Sequence, residues 1–265
     1  GALFPARRGR ALGIYSAGTD VGGLLGSGVA FVVLGTAALV WQAVFWPLAV
    51  VLTLSAGLFV YWNREPYESR RVAMAPAATA RRLLATPTQR NLLLAYALFF
   101  FVVGGLINFL PKLIIESGFS ESLSAVIYAL LFAVGLVIKP AAGELSDRFP
   151  RLGVSIAMIV LSAAGIAVLL VFDSLLAIVL GTIVTAAGYK TQFPITDAVI
   201  MEAAPSENMG GDLGAAPAVF LGANSLGPAF VGFVATYASF AAAFAGLGAS
   251  LLLSAAILAI EYRRD

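Results

Sequence analysis

The 265-residue chain has no Cys and no His, which removes thiol chemistry, disulfides, histidine general bases and most transition-metal sites. Any chemistry must therefore come from carboxylates, lysines and amides, and a few of these stand where charge is expensive. All three lysines, Lys112, Lys139 and Lys190, lie within or at the edge of long apolar runs, and so does Asp20. A charge near the centre of a bilayer costs about 2.5–3.5 kcal/mol on insertion scales, so each such residue needs a reason. Lys112 and Lys139 fall near the ends of their runs, where a long stem carries the ammonium to water. Lys139 is also placed to brace the acidic turn that follows it.

Asp20 and Lys190 lie deeper. Asp20 comes ten residues after Arg10 and Lys190 twelve before Glu202, roughly 15 Å and 18 Å into a helix at 1.5 Å per residue. They are expected at similar depth. Asp20 shares a helix face with Ser16, Gly23 and Ser27, a small and polar stripe ill suited to lipid. Lys190 shares its face with Asp197, two turns on, with Pro194 between them. Two readings stay open. Lys190 either binds an anionic group or pairs with Asp20, with Asp20 or Asp197 taking part in ion coupling; alternatively a static ion pair joins two helices and Asp197 sits at the rim. Asn108 and Gln192 are further polar candidates, for a solute or for interhelical hydrogen bonds.

The elements that must position these residues follow from composition. Hydrophobic residues make up 60% of the chain and charged ones 11%, with a mean hydropathy of +0.96. A water-soluble domain carries about a quarter charged residues. A bilayer core about 30 Å thick needs about 20 mostly apolar residues per helix. Eight such spans are expected, near 12–36, 42–62, 92–115, 122–142, 153–172, 174–200, 214–237 and 240–260. The second is bracketed by Trp41 and Trp46 at one end and Tyr61 and Trp62 at the other, as headgroup-level anchoring requires. Every arginine falls before the first span or after an even-numbered one: Arg7, Arg8 and Arg10; six from Arg64 to Arg90; Arg148 and Arg151; Arg263 and Arg264. The positive-inside rule then places both chain ends in the cytoplasm of a cell membrane, with a basic cytoplasmic loop over 63–91. Part of that loop, Ala77–Ala85, has the composition of a short helix on the membrane surface, although a basic linker is the simpler reading. Pro47, Pro140, Pro194, Pro217 and Pro228 are expected to kink their helices.

The chain also repeats itself. Gly9-Arg10-Ala11-Leu12-Gly13, opening the first span, matches Gly210-Gly211-Asp212-Leu213-Gly214, opening the seventh, and at the same offset of 201 Gly26 falls on Gly227. Parallel repeats of this kind are built into one large class of transporters. Between the fourth and fifth spans stands Gly143-Glu144-Leu145-Ser146-Asp147-Arg148-Phe149-Pro150-Arg151. This resembles the G-x-L-a-D-r-x-x-r signature of major facilitator superfamily transporters, in its second copy. Gly143 permits a close helix approach, Asp147 is suited to cap a helix N-terminus, and Arg148 and Arg151 can hold a cytoplasmic gate by charge pairs. Asn108-Phe109-Leu110-Pro111 and Gly118-Phe119-Ser120 resemble the end of family helix 7 and its outer loop. The Pro205–Gly232 stretch resembles prokaryotic members.

The resemblance implies an all-α, polytopic helical bundle in which eight of an expected twelve transmembrane helices are present, as helices 5 to 12. Residues 1–62 would end the N-terminal half, 63–91 form the central loop and 92–265 the six-helix C-terminal half. A chain opening on Gly1 without Met is expected to be partial. Gly18-Thr19-Asp20-Val21-Gly22-Gly23 partly resembles the family's G-P-x-x-G-G antiporter motif, with Thr19 in place of its proline. Gly18, Gly22 and Gly26 at four-residue spacing are expected instead to form a helix-packing face.

The function implied is secondary transport of a small solute by alternating access, coupled to an ion such as H+, with a cavity lysine favouring an anionic solute. No cofactor, metal or catalytic group is expected, and no nucleic-acid partner. Gly188-Tyr189-Lys190-Thr191 is not a phosphate loop, because a Walker motif needs Gly directly before the Lys. The alternatives are a membrane-embedded enzyme, which the scattered carboxylates do not favour, and a transport-incompetent, truncated or sensor-like member of the same family.

Overall fold

The computed structural model describes residues 7–35, 40–63, 81, 84–203 and 209–264. Helices dominate because a backbone in hydrocarbon must satisfy its own hydrogen bonds. Among the described residues there are eight α-helices and no strand: α1 (Arg8–Gly35), α2 (Phe45–Trp62), α3 (Pro87–Glu116), α4 (Glu121–Arg148), α5 (Arg151–Val171), α6 (Leu175–Ala203), α7 (Met209–Tyr237) and α8 (Phe240–Tyr262). A short 3-10 turn, Trp41–Val44, precedes α2. Seven helices, α2 to α8, are long and apolar enough to cross a membrane by length and composition. At 28 residues, α1 has the length to do so as well. The chain is a multi-pass membrane protein.

Helix starts follow local chemistry. Thr86 caps α3 by accepting the Gln89 N–H at 3.2 Å, the Gln89 side chain reaches back to the Thr86 N–H, and Pro87 occupies a first-turn position that needs no donor. Ser120 and Ser239 cap α4 and α8 in the same way. Gly118, with φ of +91°, makes the tight turn between α3 and α4, a backbone conformation that suits glycine.

Two compact units are formed: Gly1–Asp20 with Ala75–Asp265, and Val21–Met74. In the larger, neighbouring helices run in the order α7, α3, α8, α5, α6, α4. Its core includes Tyr96, Phe99, Leu106, Leu131, Ile159, Phe244 and Leu247, all at most 1% exposed. A cluster of rings joins α3, α6 and α7: Phe100 stacks on Phe220 at 5.0 Å and meets Phe193 edge-on at 5.7 Å. Small residues let backbones touch, which is what drives helix association where lipid is as apolar as the side chains. A Cβ on Gly104 of α3 would fall 3.2 Å from the Cα of Asn224 on α7. The smaller unit contains α2, whose side chains are largely exposed within this chain.

Two expectations need correction and one cannot be addressed. Pro47 lies in the first turn of α2, where its missing N–H costs no intrahelical bond, so it starts the helix and does not kink it. The fourth apolar window closes at 142, but α4 runs on through the charged signature to Arg148, because polar side chains outside the hydrocarbon do not stop a helix. Most of the surface helix expected at Ala77–Ala85, and most of the loop 63–91, lie outside the described residues.

Candidate functional site

Helices α1, α4 and α6 bring three buried charges to one point. Asp20 of α1 lies between Lys139 of α4 and Lys190 of α6. Its Oδ2 is 2.7 Å from Lys139 Nζ, and its Oδ1 accepts a hydrogen bond from Lys190 Nζ. Lys139 Nζ also donates to the Ser16 carbonyl at 2.8 Å and to Thr19 Oγ1 at 2.7 Å. Aromatic faces cover the ammoniums. Lys139 Nζ lies 4.7 Å from the centre of the Phe193 ring, and Lys190 Nζ lies 4.7 Å from Phe132 and 5.1 Å from Tyr189. Asp20 and Lys139 are each 1% exposed and Lys190 4%. Charges so buried persist only when paired and hydrogen-bonded. Here two ammoniums share one carboxylate, so the group carries one positive charge in excess, eased only in part by the ring quadrupoles.

Space for this group is made by Gly135 of α4. A Cβ there would fall 2.6–2.7 Å from the carboxyl atoms of Asp20. The Asp20–Lys190 contact joins two residues expected at similar depth from spacing alone. Lys139 is the correction. It does not reach water from a helix end, because α4 continues nine residues past it to Arg148, and its ammonium is turned inward to Asp20. A signal was present in the chain. Counted from the level where Asp147 meets Arg10, Lys139 is eight residues deep and Asp20 ten, roughly 12 Å and 15 Å.

The charged signature lies at the start of α1. Asp147 Oδ1 accepts the Gly9 N–H at 2.9 Å and Oδ2 the Arg10 N–H at 3.0 Å, so its carboxylate caps the N-terminus of α1 and complements the helix dipole. Gly143 and Gly9 allow this approach: a Cβ on Gly143 would meet the Arg10 Cα at 3.0 Å, and one on Gly9 the Asp147 Oδ1 at 2.6 Å. Arg148 pairs with Glu144 one turn back, on the exposed side, and Arg151 Nη2 is 3.8 Å from Asp147 Oδ1.

The remaining candidates are not gathered at the ion cluster by any hydrogen bond or ion pair. Gln192 is fully buried and accepts from Ser155 Oγ at 2.6 Å while donating to the Ser155 carbonyl at 3.1 Å, which ties α6 to α5. Asn108, exposed within this chain, donates to the Gly104 carbonyl of its own helix at 2.8 Å. Asp197 is half-buried on α6, seven residues past Lys190. Lys112 is exposed and bridges to Glu116 at 3.0 Å. The glycine face at Gly18, Gly22 and Gly26 is an expectation without a partner among the described residues. A Cβ on Gly18, Gly22 or Gly26 would meet nothing within 4 Å, so no close approach is made there among the described residues. Close approach is made by Gly9, Gly104 and Gly143. Gly227, the repeat partner of Gly26, also makes one, against the backbone of Phe101 and Gly105. Among the described residues no three acidic side chains gather as a metal site.

A segment of 135 residues, 49% of this chain, is 34% identical to the 3-(3-hydroxy-phenyl)propionate transporter of Escherichia coli (strain K12), of which it makes up 32%. The crystal structure of a bacterial homolog of the human lysosomal transporter Spinster, in an inward-facing and unoccupied conformation, is matched over 96% of this chain and 63% of that one, at 19% identity and a TM-score of 0.47. That likeness is too slight to carry an argument. The chain spans less than two thirds of the length of either relative. The family model described as Major Facilitator Superfamily matches residues 1–152 and again 92–265, between them the whole chain, so this protein belongs to the Major Facilitator Superfamily.

Proposed function

We propose that this chain is the greater part of a secondary transporter that moves a small anionic solute across the cytoplasmic membrane by alternating access, coupled to a proton or other ion. Residues 1–62 end its N-terminal half, 63–91 link the halves and 92–265 form its C-terminal half, with both ends of the chain in the cytoplasm. The observation that carries the reading is the buried cluster of Asp20, Lys139 and Lys190, with two cations on one anion. A scaffold needs no excess charge in its interior, and one in a low-dielectric site is stabilised by an anionic ligand. The named substrate of the Escherichia coli relative is a propionate, a carboxylate at neutral pH, which agrees in sign. Asp147, Gly143, Arg148 and Arg151 serve as the cytoplasmic gate. Asp197, Asn108 and Gln192 are secondary: Gln192 is committed to Ser155, and Asp197 and Asn108 are further polar candidates for contact with the solute. No catalytic group, metal or cofactor is assigned.

A second reading has its own support. All three cluster residues are at most 4% exposed, as a structural rivet would be. Uptake of 3-(3-hydroxyphenyl)propionate into proteoliposomes separates the two, using the protein at the length its gene encodes. Lys190→Ala should insert normally and lose uptake. If it inserts normally and transports with unchanged affinity, the cluster is a rivet and the solute site lies elsewhere.

A further inference from the structure

The transporter reading leaves open why a site for an anion already holds one. Resting on that reading, we propose that Asp20 is a resident counter-ion, filling the carboxylate position on Lys139 and Lys190 until the carboxylate of a monoanionic solute takes its place. The geometry supports an exchange. The Asp20 carboxylate bridges both ammoniums, one oxygen to each, as a free carboxylate would. Lys139 keeps two other acceptors, the Ser16 carbonyl and Thr19 Oγ1, so it stays held in place when Asp20 leaves. The faces of Phe132, Phe193 and Tyr189 around the ammoniums offer apolar contact to the body of such a solute.

Charge balance then determines the coupling. Facing Asp20 are Lys139 from α4 and Lys190 and Tyr189 from α6; Asp197 of α6 faces Lys139 and Tyr128 of α4 faces Tyr189, and among the described residues α1 itself adds Ser16 and Thr19, both bonded to Lys139. No cation other than the two lysines is present among these groups to receive the displaced carboxylate. An ionised carboxylate without a partner in such surroundings takes up a proton instead. The proton comes from water and adds to a carboxylate oxygen of Asp20. The cluster holds one net positive charge before the exchange and one after it, so one proton accompanies each monoanion and the movement is electroneutral. Asp20 also belongs to α1, while both lysines belong to α4 and α6. Solute binding therefore releases the Asp20 ties of α1 and leaves it held by the Lys139 bonds to Ser16 and Thr19 and by the Asp147 cap at its start.

The test is calorimetric binding of 3-(3-hydroxyphenyl)propionate to the purified protein at the length its gene encodes. Titration in buffers of differing ionisation enthalpy counts the protons taken up. Wild type should take up one proton per bound solute. Asp20→Asn should take up none and should bind about tenfold tighter or more, since the competing carboxylate charge has been removed. Should that variant fail to fold with two unpaired lysines, Asp20→Asn with Lys139→Gln restores the single positive charge and should bind with no proton uptake. Binding and uptake by wild type, together with unchanged affinity and an unchanged proton count in these variants, would overturn the exchange and leave the transporter reading standing. Failure of wild type to bind the carboxylate at all would overturn both.

Discussion

Gly135→Ala tests whether the Asp20 carboxylate is seated as the structure places it. The new Cβ would lie 2.6 Å from Asp20 Cγ and Oδ2 and 2.7 Å from Oδ1, against an ordinary contact of 3.4 Å or more. The carboxylate must retreat by about 0.8 Å, which takes the 2.7 Å separation from Lys139 to about 3.5 Å and loosens the Lys190 bond with it. At an effective dielectric of about 20, that change weakens one unit-charge pair by about 1.4 kcal/mol. Overpacking at a buried site costs about 1–3 kcal/mol, in the same range. The expected loss is therefore about 1–3 kcal/mol of unfolding free energy, read as a melting temperature lower by about 2–4 °C per kcal/mol for a chain of this size. Thermal unfolding in detergent micelles measures it. The decisive comparison is a double-mutant cycle with Asp20→Ala. Once the carboxylate is gone, the three atoms nearest the new methyl are gone with it, and the cost should fall by at least half. A cost that persists unchanged in the Asp20→Ala background would refute the reasoning, since the clash would then lie with something other than Asp20.

Three further outcomes are expected. Asp147→Ala removes the acceptor for the Gly9 and Arg10 N–H groups and should destabilise the protein by about 0.5–2 kcal/mol, with faster hydrogen exchange confined to the first turn of α1; unchanged exchange there would show that the cap contributes nothing. Gly104→Ala should weaken folding by about 1–3 kcal/mol because its methyl meets the Asn224 backbone, whereas Gly18→Ala and Gly22→Ala should be neutral or slightly stabilising, and thermal melts that rank these the other way would contradict the packing described. Because the chain has no Cys, single cysteines report sidedness cleanly. In intact cells Glu116→Cys should react with a membrane-impermeant maleimide and Arg263→Cys should react only after permeabilisation, and the opposite result would invert the topology.

How much was legible in the chain differs by residue. The helices could be read because hydrocarbon thickness dictates their length, and seven of the windows reappear as helices that qualify as spans. Pairing of Asp20 with Lys190 was open as one of two readings, since rise per residue converts position into depth and burial in lipid demands a partner. Asp147 was legible as a residue able to cap a helix, but that the helix is α1, remote in sequence, was decided by the tertiary fold. Lys139 was misread because an apolar window marks where hydrocarbon ends, not where a helix ends, and α4 continues beyond it.

By itself, then, the sequence determined what depends on distance along one helix: the apolar spans, the similar depth of Asp20 and Lys190, and the arginine distribution from which sidedness is inferred. Tertiary structure alone decided what depends on rotation about a helix axis and on which helix lies opposite. It turned Lys139 toward Asp20, committed Gln192 to Ser155, and gave close contacts to Gly9, Gly104, Gly143 and Gly227 while leaving Gly18, Gly22 and Gly26 without one. The physical reason is that lipid solvates every apolar face of a helix almost equally well, so hydropathy leaves azimuth and partner open. Both are set by packing and by the few polar groups that must find one another across the gap.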